Sequence, residues 1–215
     1  MGRKEAIFLL YHTIQIFANT PLLLYTTNMK LILAQGNPGK EYVSTRHNVG
    51  FLVIDALQEQ LGAKDFQNKT KFQALTSEVV IGGEKVILAK PTTFYNLTGQ
   101  SARAICDFYK INPTDILVIH DELALNFGTI RVRQNGSDAG NKGIRSLNSH
   151  LGPNFWRIRI GINNELASKI DSADFVLSKF SEQEKKTLND SIVPEVLTLS
   201  KFFLDNNLEQ TSKRT

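Results

Sequence analysis

A histidine, two asparagines and an aspartate lie on the segments that follow three short apolar runs, and together they supply the groups that hydrolysis by water requires. His47 lies in Thr45-Arg46-His47-Asn48-Val49-Gly50, shortly after the turn Gly36-Asn37-Pro38-Gly39. An imidazole there can be neutral and basic at cellular pH, because the ordinary pKa of the group is about 6.5. Asp121 closes the run Ile116-Leu117-Val118-Ile119-His120-Asp121. A carboxylate can accept the Nδ1 proton of a histidine, fix its tautomer, and stabilise the imidazolium formed when the other nitrogen takes a proton from water. The amides of Asn37 and Asn96 both donate and accept, which suits a peptide group or a developing oxyanion. No serine or cysteine stands in a nucleophile elbow, so water is the expected nucleophile. The simpler reading of His47, a ring that only caps the following helix, stays open on this segment alone. His120 competes as the base, but alternation along a strand sends it to the face opposite Asp121 and makes it structural. His12 and His150 have no companions at metal-ligand spacing, so neither metal nor cofactor is expected.

Positioning these groups is the task of the elements around them. Lys30-Leu31-Ile32-Leu33-Ala34 reads as a buried strand, and the Gly-Asn-Pro-Gly run as a turn. From Asn48 to Leu61, apolar residues at 49, 52, 53, 56, 57 and 61 have helical spacing, and Gly62 is a stop. Val79-Val80-Ile81, Gly82-Gly83 and Val86-Ile87-Leu88 predict a hairpin that exits through Pro91-Thr92-Thr93-Phe94-Tyr95-Asn96. Strands alternating with helices predict an α/β fold. The exits of neighbouring parallel strands converge on one sheet edge, where Asn37, His47, Asn96 and Asp121 would share a pocket.

The 215 residues suit one domain, and a formal net charge of +4 permits a nucleic-acid partner without demanding one. The placement of the basic residues says more. Arg131 and Arg133 share one face of the alternating run Thr129-Ile130-Arg131-Val132-Arg133, and Arg157 and Arg159 repeat the pattern in Arg157-Ile158-Arg159-Ile160. With the glycine-rich helix start Gly136-Ser137-Asp138-Ala139-Gly140-Asn141-Lys142-Gly143 between them, they predict a phosphate-binding surface; a solvated sheet face is the alternative. Cys106 falls on a helical face with Ala102, Ile105 and Tyr109, as a core residue in a reducing compartment would. Ser181-Glu182-Gln183-Glu184 is a capping box opening the last helices, expected from Glu182 to Asn206. The stretch from Met1 to Asn28 carries Arg3, Lys4 and Glu5 and then no charge until Lys30, with Pro21 and several polar residues interrupting its apolar run. It is a poor transmembrane span and reads as an extension outside the fold, with Met29 as the natural start; a weak signal-like segment is the other reading.

With these motifs in view, the chain from about Met29 onward resembles the bacterial-type peptidyl-tRNA hydrolase family. The resemblance rests on Gly36-Asn37-Pro38-Gly39 with Glu41-Tyr42, on Thr45 to Gly50, on Pro91 to Gly99, on His120-Asp121-Glu122-Leu123, and on Arg157 to Ile162, in that order and spacing. It implies a monomeric, cytoplasmic, single-domain three-layer sandwich over residues 29–215, with a twisted, mostly parallel mixed sheet flanked by helices. It also implies cleavage of the ester between a peptide and the terminal ribose of tRNA. By that analogy His47 is the base and Asp121 its partner. Asn37, Tyr42, Tyr95, Asn96, Asn141 and Lys142 face the substrate, and Arg131, Arg133 and Arg159 hold tRNA. The chain departs from the family pattern at Ala139-Gly140-Asn141-Lys142-Gly143, where Lys142 occupies the place of a functional asparagine and Asn141 stands beside it. Tyr95 replaces a more usual methionine, and Ala34-Gln35 a more usual Gly-Leu. A non-catalytic RNA-binding protein on the same scaffold is the competing function. A small-molecule esterase would keep the base without needing the arginine faces.

Overall fold

Four apolar residues in a row, Leu31 to Ala34, make β1 (Lys30–Ala34) a strand that must be covered on both faces, and all of it is buried. The computed structural model describes residues 29–215, and the expected extension over residues 1–28 lies outside them. β1 pairs in parallel with β4 (Glu84–Pro91) on one side and β5 (Ile116–Asn126) on the other. The remaining strands are β2 (Gln67–Lys69), β3 (Ala74–Ile81), β6 (Thr129–Gln134), β7 (Trp156–Asn163) and β8 (Thr211–Arg214). They complete one eight-stranded sheet in the order β2-β3-β4-β1-β5-β7-β6-β8. The centre, β4-β1-β5-β7, is parallel, and every pairing outside it is antiparallel. The mostly parallel sheet read from the family resemblance is thus the central part of a mixed one. The β3–β4 hairpin turns through Gly82 and Gly83, at φ 57 and 86, the left-handed pair that a tight two-residue connection demands.

Period-two alternation divides the core. Ile32, Ala34, Leu117, Ile119, Ile158 and Ile160 face α1 (Val49–Gln60) and α6 (Val193–Leu204). Leu31, Leu33, Ile87 and Val118 face α2 (Thr98–Tyr109) and α3 (Lys142–Leu151). The result is the three-layer sandwich. α1 buries Val49, Val53, Ile54 and Leu57, so its buried stripe takes in Ile54 while Leu52 and Ala56 stay half-buried. Cys106 packs in the α2 layer, where burial pushes its thiol up to about 12 and leaves it unreactive. The short α4 (Ser172–Leu177) and α5 (Glu182–Thr187) precede α6. α5 opens with the expected capping box, in which Ser181 Oγ accepts from Glu184 N–H and Glu184 Oε2 accepts from Ser181 N–H. A π-helical turn over Leu188–Ile192 joins α5 to α6, so helical structure covers the expected span from Glu182 as far as Leu204. Lys30 anchors the end of α6: its buried ammonium donates to the carbonyls of Phe203 (2.9 Å) and Leu204 (2.6 Å) in the last turn of that helix. Among the described residues no helix is long and apolar enough to cross a membrane.

Candidate active site

The buried Asp121 borders a cavity because its neighbour strand stops short. The β1–β5 ladder ends at Ala34 opposite Ile119, whereas β5 itself runs on to Asn126, with a register irregularity between Glu122 and Asn126. Asp121 is therefore not at a strand end, as expected, but beyond the edge of the adjacent strand. His47 arrives from above it on the 3-10 turn Arg46–Asn48 that leads into α1. That approach depends on Gly50. A Cβ there would lie 2.6 Å from the Gln35 carbonyl oxygen and 2.7 Å from that of Ile119, so only glycine lets the first turn of α1 sit on the backbone of β1 and β5. The outcome is a hydrogen bond of 2.9 Å between His47 Nδ1 and Asp121 Oδ2, with side-chain exposures of 17% and 2%. His47 Nε2 has no protein partner among the described residues and is open to the cavity.

The asparagines divide into those that build the site and those that face out of it. Asn48 was not among the expected site residues, yet its side chain clamps the first loop: Oδ1 accepts from Asn37 N–H (2.8 Å) and Nδ2 donates to the Asn37 carbonyl (2.9 Å). Its place beside His47 in the motif was the only sequence signal. Asn37 in turn accepts the Tyr95 backbone N–H on Oδ1 (2.9 Å), which ties the exit of β4 to the exit of β1. Asn141 caps α3 by accepting from Ile144 N–H (3.0 Å) and donates through Nδ2 to the Tyr95 hydroxyl (3.1 Å). Tyr95, expected at the substrate, is only 4% exposed, and its hydroxyl donates to Asp121 Oδ1 (2.7 Å). Asn96 and Lys142 are exposed on the wall of a cavity of about 970 Å³ that also holds Asn37, His47, Asp121 and Asn141. Phe94, Leu123, Val176 and Leu177 make the apolar part of that wall. Tyr42 lies in the 3-10 turn Lys40–Tyr42 and does not line this cavity.

A histidine-carboxylate pair in an amide-rimmed cavity fits several hydrolases. The family model for peptidyl-tRNA hydrolase, however, matches residues 31–215, all but the first of the described strands' residues and everything that builds the site. This chain belongs to the peptidyl-tRNA hydrolase family. It is 47% identical over 163 residues to the peptidyl-tRNA hydrolase of Fusobacterium nucleatum, an overlap covering 75% of this chain and 83% of that one. To the peptidyl-tRNA hydrolase of Ligilactobacillus salivarius it is 38% identical over 187 residues, or 86% of this chain and 99% of that one. Among solved structures, peptidyl-tRNA hydrolase from Acinetobacter baumannii superposes with a TM-score of 0.77 at 36% identity, covering 85% of this chain and 91% of that one.

In this member of the peptidyl-tRNA hydrolase family, the four sheet arginines are not equivalent. β6 and β7 set Arg131 opposite Arg159 and Arg133 opposite Arg157, and like charges directly opposite repel. Two of the four are compensated internally. Arg159 pairs with Glu122 through Nε (2.9 Å) and Nη2 (2.8 Å), and the buried Arg157 holds the loop after β6 by donating to the carbonyls of Ser137 (2.8 Å) and Asn135. Arg131 and Arg133 have no carboxylate partner among the described residues and are half-buried on the sheet, Arg133 donating to the carbonyls of Val132 (2.7 Å) and Thr211 (3.1 Å). Among the described residues, no group of three His, Cys, Asp or Glu side chains is placed to hold a metal ion.

His120 is buried, as its strand position predicts, with Nδ1 donating to the Asp121 carbonyl (2.7 Å). Burial pushes its pKa down to about 4, against the raising influence of Glu122 and Asp121. Because the folded state resists the proton that the unfolded chain accepts near the ordinary value of about 6.5, this residue's contribution to stability is complete above that pH and is lost as pH falls toward 4. Urea unfolding at pH 7 and pH 5 should show the wild type losing about 2 kcal/mol more than His120→Asn over that interval. Parallel pH dependences would mean that His120 does not stay neutral in the fold.

Proposed function

We propose that this chain hydrolyses the ester joining a peptide, or an N-blocked amino acid, to the terminal ribose of tRNA, recycling tRNA from stalled translation, and that it acts as a cytoplasmic monomer folded as one domain over residues 29–215. The His47–Asp121 hydrogen bond of 2.9 Å, opening onto a cavity rimmed by amides, carries the reading. Asp121 holds the proton on Nδ1 and leaves Nε2 as the acceptor. A water gives its proton to Nε2 as its oxygen attacks the ester carbonyl carbon. The oxyanion is met by donors from Asn96 and Lys142, which line the same cavity. Collapse breaks the bond to the ribose oxygen, which takes the proton back from His47 and leaves as the tRNA hydroxyl. Asn37, whose Nδ2 has no hydrogen-bond partner among the described residues, and the apolar wall at Phe94 and Leu177 receive the peptide. The unreactive Cys106 thiol leaves water as the nucleophile and accords with a reducing compartment.

The deciding assay compares N-blocked aminoacyl-tRNA with a short acyl ester: the first should be cleaved and the second ignored. Binding without cleavage would instead make the protein a non-catalytic RNA binder, and equal cleavage of both would make it a general esterase. Arg131 and Arg133 serve tRNA phosphate in this reading, while Arg159 shapes the site through Glu122. Arg133→Ala should weaken tRNA binding and lower the slope of log affinity against log salt by about one counterion. Cleavage of a minimal esterified fragment should be unchanged, and an equal loss on fragment and full tRNA would assign Arg133 a structural role.

A further inference from the structure

Both oxygens of Asp121 are occupied. Oδ2 takes the His47 Nδ1 proton at 2.9 Å, and Oδ1 accepts the Tyr95 hydroxyl at 2.7 Å. The same tyrosine lies flat against the imidazole, with ring centroids 3.6 Å apart and planes 12° from parallel. Tyr95 therefore touches both members of the pair, one through its hydroxyl and the other through its ring face. It has no freedom to leave: a Cβ at Gly143, in the first turn of α3, would come within 2.5 Å of Tyr95 Cε1. Its hydroxyl oxygen is also addressed from behind by Asn141 Nδ2 at 3.1 Å, and Asn141 is held by its cap on Ile144 N–H. With Asn141 donating to it, the hydroxyl's single proton is directed at Asp121.

We infer that Tyr95 is a positioning residue that sets the basicity of His47 by donating to Asp121 while its ring fixes the plane of the imidazole. A hydrogen bond to a carboxylate is charge-assisted and draws negative charge toward the donor, so the field that Asp121 exerts on an imidazolium is weaker than that of an uncommitted carboxylate. Burial, and then the Asp121 charge, push the Tyr95 pKa well above 10, so the hydroxyl keeps its proton throughout the working range. Other titratable groups also stand around the pair. Glu122, next on β5, is neutralised by Arg159 of β7, and His120 lies buried behind Asp121. Lys142 of α3 and Asp171, the cap of α4, line the cavity.

This inference rests on the reading of His47 as the general base, and the test separates the two. Tyr95→Phe keeps the stacked ring and removes only the hydroxyl. The titration of the His47 ring protons, followed by NMR in the full chain and assigned with His47→Ala, should move up by about half to one pH unit relative to wild type. The acid limb of kcat/KM on N-blocked aminoacyl-tRNA should move with it. Tyr95→Met, which removes ring and hydroxyl together, should show the same upward move and a lower kcat, and carries the titration readout should the phenylalanine variant not fold. An unmoved His47 midpoint in a folded variant overturns the inference, whatever the rate. Absence of hydrolysis by the wild type would overturn the general-base reading instead, and the NMR midpoint would still decide whether the hydroxyl tunes the ring.

Discussion

Replacing His47 by alanine is expected to lower hydrolysis of N-blocked aminoacyl-tRNA by about 10²–10⁴-fold, the usual worth of a positioned general base. Affinity for tRNA should stay within about two-fold, because the ring is bonded to Asp121 and open to the cavity, while the arginines proposed for phosphate lie on β6. Single-turnover cleavage and equilibrium binding of uncharged tRNA measure the two quantities separately. A variant keeping more than half the wild-type rate would remove His47 from the chemistry. Asp121→Asn should also be slow, for a different reason. A carboxamide whose N–H faces Nδ1 favours the tautomer with the proton on Nε2, where no proton can be accepted. A wild-type rate and pH profile would exclude the pairing.

The largest expected loss of stability comes from the neighbouring residue. Arg46 is 2% exposed and is held on every side: Nη1 and Nη2 donate to Glu184 at 2.9 and 2.7 Å, Nε donates to Ser178 Oγ at 3.1 Å, and the rings of Phe175 and Phe180 each lie 4.8 Å from the guanidinium carbon. Arg46→Ala leaves the Glu184 carboxylate, itself only 12% exposed, without its bidentate partner and opens a void between two aromatic rings. Breaking such a pair costs about 3–5 kcal/mol. Urea denaturation should register it, and activity should fall as well, because Arg46 and His47 share one 3-10 turn that is bolted to α4 through the Arg46 N–H bond to the Ser178 carbonyl. Adding Glu184→Gln to Arg46→Met should restore part of the lost stability, since the stranded charge is then gone. A loss below about 1 kcal/mol for Arg46→Ala would show that the pair is exchangeable with water.

Residue type and spacing carried the site as far as chemistry that each segment holds within itself. Alternation placed Asp121 and His120 on opposite faces of β5, and the turn followed by a helical pattern put His47 at the mouth of a strand-loop-helix unit. The capping box at Ser181 is a local rule and needed nothing else. The two edge strands β2 and β8 were not legible, since Gln67-Asn68-Lys69 and Thr211-Ser212-Lys213-Arg214 have no apolar alternation and are held mainly by backbone pairing to strands already in place. The same holds for the length of β5, which runs past Asp121 because β7 continues beside it after β1 has ended.

The inventory of reactive groups and the α/β order of their carriers thus belong to the sequence, because helical and strand periodicities are local properties of the chain. The allocation of hydrogen bonds among those groups belongs to the tertiary structure alone. Tyr95 and Asp121 are 26 residues apart, His47 and Asp121 are 74 apart, and Arg159 reaches Glu122 across 37. Each of these side chains has several chemically acceptable partners in the sequence, and only the packing of α1 and α3 onto the sheet, through Gly50 and Gly143, decides which one comes within hydrogen-bond distance. A hydrogen bond fades within a few tenths of an ångström, far finer than any spacing rule resolves. That is why spacing alone did not show the Tyr95 hydroxyl on Asp121 and its ring against His47.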